Sequence, residues 1–84
     1  MIRPLPFIPK TKDDLLAFEI AQAFSDEVRL TFYRRICVAY DGQLVYRAFR
    51  VTLGTPLAHI KKSRRALFLY LIHKYENESR HPLN

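Results

Sequence analysis

Apolar positions recur at helical spacing through most of the chain, and the polar residues between them mark where each helix starts and stops. Leu16, Ile20 and Phe24 line up, flanked by Ala17 and Ala21, and Thr11 precedes them as an N-cap with Asp13 and Asp14 in the first turn. This predicts an amphipathic helix over 11–24. Negative charge in a first turn suits the helix dipole, which accounts for both aspartates without acid–base or metal chemistry. Ser25 reads as the cap of a second helix, with Asp26 and Glu27 in its first turn. On that helix Phe32, Ile36 and Tyr40 share a face with Tyr33 and Cys37 beside them, while Thr31, Arg34 and Arg35 fall on or near the other. Cys37 is expected to be packing.

Asp41-Gly42 is a strong hairpin signal between two β-prone runs, so a two-stranded reading competes with a helical one. As a helix, 43–53 puts Gln43, Tyr46, Arg47 and Arg50 on one side and Leu44, Val45, Ala48, Phe49 and Thr52 on the other. As a strand, each face mixes arginine with apolar side chains. The cleaner split favours a third helix capped by Asp41 and ended by Gly54 in a left-handed turn.

The stretch 60–75, IKKSRRALFLYLIHKY, sets four cations around one serine and then runs into an apolar segment. Phe68, Leu71, Ile72 and Tyr75 share one side with Leu67, and Leu69 and Tyr70 widen the arc, which predicts a helix buried in the middle of the domain. Continuing that helix back to Pro56 would place Lys61 and Arg64 inside the apolar arc, where unpaired charge is costly. The chain is therefore expected to break near Ser63. A short helix from Pro56 to about Lys61, capped by Thr55, then precedes a turn and a helix from Arg64 to about Tyr75 with Ser63 as its cap. The fold class is all-α, a small bundle of four to five short helices whose last pair resembles a helix-turn-helix. Pro4, Pro6 and Pro9 hold 1–10 as an extended arm, which can lie on its own domain or in a partner's groove. The helical domain spans 11–77, and 78–84 form a frayed tail ended by Pro82.

Size and composition sharpen this picture without changing it. Eighty-four residues make one domain whose core must be built of large side chains, and 49% hydrophobic with 13% aromatic content supplies them. Charge changes more. Residues 1–42 carry six Lys or Arg against six Asp or Glu, whereas 43–84 carry eight against two, so the whole excess of +6 lies in the second half. A field confined to one part of a small domain attracts polyanions, nucleic acid first and anionic membrane second. One cysteine excludes an internal disulfide and a cysteine-based zinc site, and no segment has the length of a membrane span. A soluble cytoplasmic protein without a membrane role is expected.

No phosphate loop, nucleophile elbow or metal-ligand spacing occurs, and His59, His73 and His81 are scattered, so no catalytic residue, cofactor or metal is expected. The candidate nucleic-acid-binding residues are Arg47, Arg50, Lys61, Lys62, Arg64 and Arg65. The last four surround a helix start whose free N–H groups favour an anion, and Tyr46 is available to stack on an unpaired base. In a helix-turn-helix docking Arg64 and Arg65 would read bases, and Lys61 and Lys62 would hold phosphates. Two other readings stand beside this one. KKSRR serves as a solvated turn that keeps an apolar domain in solution, or the chain is a protein-interaction module or accessory subunit whose five tyrosines exceed the needs of its core.

The order SDE, LTFY, YRAF and then IKKSRRALFLYLIHKY, over 25–75, resembles a run in short bacterial helical proteins and protein segments, some connected with replication of mobile elements. Arg65 stands where that run has a small residue such as glycine, which makes the helix entrance more basic. The resemblance implies helices and a leaning toward nucleic acid; it attaches no activity and no ligand residue.

Overall fold

A computed structural model describes residues 11–80, which form α1 (Lys12–Ala23), α2 (Leu30–Ala39), α3 (Gly42–Gly54) and α4 (Arg64–Arg80), with single 3-10 turns at Glu27–Arg29 and Leu57–His59. Among the described residues there is no strand, so at Asp41-Gly42 the helix prevails over the hairpin. The arm expected over 1–10 and the end of the tail, 81–84, lie outside the described residues. Three helices start where the sequence supplies a capping oxygen. Thr11 Oγ1 accepts from the N–H of Asp14 at 3.1 Å, Asp41 Oδ2 from those of Gln43 and Leu44 at 3.0 and 3.3 Å, and Ser63 Oγ from that of Ala66 at 3.1 Å.

Ser25 does something other than expected. It is the one described non-glycine residue with positive φ, at 53°. The N–H of Ser25 donates to the Gln22 carbonyl at 3.0 Å and that of Asp26 to the Ala21 carbonyl at 2.8 Å, which is the Schellman closure of α1. Ser25 therefore ends the first helix instead of capping the second. The 3-10 turn follows, and α2 begins only at Leu30, with no side-chain cap.

The link from α3 to α4 also departs from expectation. Gly54 is the last helical residue and has no positive φ, so α3 ends without a left-handed glycine. Instead the Thr55 hydroxyl donates back to the Val51 carbonyl at 2.8 Å, finishing α3 and not starting the next element. The short helix expected from Pro56 is one 3-10 turn long, and a bend at Lys61 and Lys62 leads into α4. At its far end α4 runs through Arg80, beyond the tail boundary at 77, helped by an Arg80–Glu76 ion pair at 3.0 Å one turn apart.

Packing joins two helix pairs. Asp14 near the start of α1 accepts from Arg34 of α2 at 3.0 Å. In the second pair Arg47 of α3 lies 4.0 Å from the centre of the Tyr75 ring of α4, and Asp41, Gln43 and Leu44 at the start of α3 share a cleft with Glu78 and Ser79 near the end of α4, so those helices run antiparallel. Ala17, Ile20 and Ala21 of α1 meet Tyr33, Ile36 and Cys37 of α2, and Val45, Ala48 and Phe49 meet Phe68, Leu71, Ile72 and Tyr75. Phe24 stands at the junction. Its ring lies 6.0 Å from Tyr33, 5.8 Å from Phe49 and 5.7 Å from Phe68, so one side chain just past α1 touches the other three helices. α4 packs along its length mainly on α3, reaches α2 through Phe68 on Tyr33 and His73 on Tyr40, and leaves Tyr70 61% exposed, so the point where all four helices meet is Phe24.

Candidate nucleic-acid interface

The start of α4 is shaped by its cap. Ser63 takes the N–H of Ala66, which holds the bend at Lys61 and Lys62 against the first turn and sends the flanking side chains to two sides of the helix. On one side Arg64 and Arg65 enter a cleft with Phe24, Asp26, Arg29, Leu57 and Ser63. On the other, Lys61 and Lys62 border a groove formed with His59, Ile60, Ser63, Ala66, Leu67 and Tyr70. Both lysines are exposed, whereas both arginines are half-buried.

Inside the cleft one carboxylate faces three guanidinium groups. Asp26 accepts from Arg29 at 2.9 Å and from the Tyr33 hydroxyl at 2.7 Å. Burial alone would raise the Asp26 carboxyl, but those two hydrogen bonds and the charges of Arg29 and Arg65 outweigh it and hold the group below its ordinary value. Burial, then the bond to Asp26 and its charge, push the Tyr33 phenol well above its ordinary range. Asp26 is thus committed to Arg29 and Tyr33. Arg64 Nε is buried with no hydrogen-bond partner.

The six candidate cations fall into separate groups. Arg47 lies over Tyr75, in a cleft with Asp41, Gln43, Leu44, Glu78 and Ser79. Tyr75 is three turns along α4 from Arg64, about 16 Å at 1.5 Å per residue. Arg50 is exposed one turn further along α3. Arg47 therefore lines a different cleft from Lys61, Lys62, Arg64 and Arg65. Tyr46 is 49% exposed with its ring against Phe49 at 6.3 Å. His73 packs edge-on against Tyr40, away from the α4 entrance, and among the described residues no three His, Cys, Asp or Glu gather to hold a metal.

The chain matches no protein-family model, no curated protein and no solved structure. The geometry speaks alone. Among the described residues no helix is long and apolar enough to cross a membrane.

Two residues of the site escape a reading of the sequence alone. Arg29 enters the cleft through its pairing with Asp26, which the spacing of three makes visible afterwards. Tyr70 widens the apolar arc of the sequence, yet Ser63, Ala66, Leu67 and Tyr70 follow the i, i+3, i+4, i+7 spacing of one helix face, which is the signal that places Tyr70 in the groove.

Proposed function

We propose that this chain is a small nucleic-acid-binding module, acting without catalysis in the cytoplasm, that grips the phosphate backbone at the entrance to α4. One observation carries the reading. Lys61, Lys62, Arg64 and Arg65 crowd one helix start, and among the described residues none of them is in an ion pair, the one carboxylate in the cleft with Arg64 and Arg65, Asp26, being paired with Arg29. Cations that only keep a domain in solution gain nothing from being gathered where the helix dipole already favours an anion. A phosphate oxygen there meets side chains and backbone N–H groups together.

Fluorescence anisotropy with labelled duplex DNA, single-stranded DNA and RNA across a salt series tests this. Affinity should fall with salt at about −0.9 in the log–log slope per phosphate neutralised on duplex, or about −0.7 on a single strand. Replacing Lys61, Lys62, Arg64 and Arg65 by alanine should flatten that slope. Because both arginines are half-buried, the exposed pair Lys61→Ala and Lys62→Ala serves as the variant that keeps the fold. Absence of binding to all three at low salt, with the protein folded, overturns the reading. The search then moves to a protein partner, for which Val28, Val38 and Leu57, exposed to 90%, 75% and 67%, are the apolar contacts on offer.

A further inference from the structure

We infer that the strand bound is unpaired, with a base stacked on Tyr70 and the adjoining phosphates on Lys61 and Lys62; the inference rests on the proposed function and names its substrate. A groove runs beside α4. Its floor is Ile60, Ala66 and Leu67, Tyr70 stands along it, and its rim carries Lys61, Lys62 and His59 with no acidic side chain among its lining. At about 550 Å³ it has the size of sites that take small molecules.

Tyr70 is the feature that decides between ligands. It lies 61% exposed in the second turn of α4, the segment richest in apolar residues, although Phe68, Leu71 and Ile72 around it are buried. An aromatic ring beside two free ammonium groups is the arrangement that unpaired strands use, because every base offers a π-face and every phosphate a charge. A duplex presents no free face to it. Nor is the α4 start presented as a groove-reading helix. Arg64 and Arg65 turn into the cleft with Phe24, Asp26 and Arg29, and the element before them is a single 3-10 turn. Those two arginines then extend the phosphate track around the helix end, and base identity is read weakly or not at all. The stacked base and the phosphates are common to DNA and RNA, so strands of both kinds should bind.

The test is anisotropy with a homopyrimidine single strand of DNA, the same strand of RNA and its duplex, on the wild type and on Tyr70→Ala, Tyr70→Phe and Lys61→Ala with Lys62→Ala. Both single strands should bind more tightly than the duplex. Tyr70→Ala should weaken single-strand binding by about 5-fold or more, the effect of losing one base–aromatic stack, while leaving the salt slope in place. Tyr70→Phe should bind like the wild type, and the double lysine variant should instead lower the slope by about 1.4. Circular dichroism confirms that each variant is folded. Duplex binding as tight as single-strand binding, with Tyr70→Ala unchanged, overturns the inference and leaves the proposed function standing. Equal displacement by polyglutamate overturns it too, since an acidic peptide would then satisfy the same groove. Failure to bind any nucleic acid overturns both.

Discussion

The pair Asp26 and Tyr33 ties a surface charge to a fully buried ring, and its energetics should be visible in pH. The Tyr33 phenol keeps its proton in the folded protein beyond the ordinary value of 10.0, so the unfolded chain releases that proton first. Stability from this group is complete below pH 10.0 and declines as pH rises above it. Asp26 works in the opposite sense. Its folded carboxyl lies below 3.8, so its contribution is present above that pH and is lost as pH falls through the folded value. Thermal unfolding across pH on the wild type and Tyr33→Phe checks both limbs. The variant should lose about 1.5–3 kcal/mol near neutrality, the worth of a hydrogen bond to a charged group, and should have a flatter alkaline limb. A variant with the same alkaline decline would show that Tyr33 is not its source. The pair was not legible in the sequence, because it spans seven positions across a 3-10 turn that periodicity does not register. Cys37 was legible, since its place beside Tyr33 and Ile36 on a wheel already puts it in the core, where it is 2% exposed.

At the scale of elements, the starts of helices were easier to read than their ends. Thr11, Asp41 and Ser63 each cap through an oxygen two or three residues from its donor, so local sequence contains the whole interaction. Ser25 misled because a polar residue between two helices suits an N-cap as well as a C-terminal closure, and only φ tells the two apart. The two roles predict different mutants. As the cap of α2, Ser25→Ala would cost about 1 kcal/mol and Ser25→Gly a few tenths. At its observed φ of 53°, Ser25→Ala should be nearly neutral. Ser25→Gly should instead stabilise by about 0.5–1 kcal/mol, because glycine adopts that conformation without a Cβ penalty. Chemical denaturation of the two variants separates these outcomes. The far end of α4 was missed for another reason. Apolar periodicity reports packing, and 76–80 are helical through the Glu76–Arg80 pair and the continuing backbone ladder with little core to contact.

For the whole molecule, the sequence supplied the order of helices and the lopsided charge, but not which helix lies where. A wheel assigns each helix an inward face without saying what fills the middle, and the middle here is Phe24, a residue that ends its own helix. Phe24→Ala should cost about 3–5 kcal/mol, as large aromatic truncations in cores do. A domain of this size has only about 4–13 kcal/mol in all, so the variant should lose most of its cooperative melting by circular dichroism. Val28→Ala, at a position 90% exposed, should stay within about 0.5 kcal/mol of the wild type. Equal losses in the two would remove Phe24 from its central role. The same junction governs how the chain reaches its native state. Each helix pair is closed by a short connection and gathers neighbours close in sequence, so it forms at little loop-closure cost. The contacts of Phe68 with Phe24 and Tyr33 span the longest stretches of chain among the ring contacts, so the loop-closure entropy of ordering the molecule falls most heavily on that docking of one half on the other.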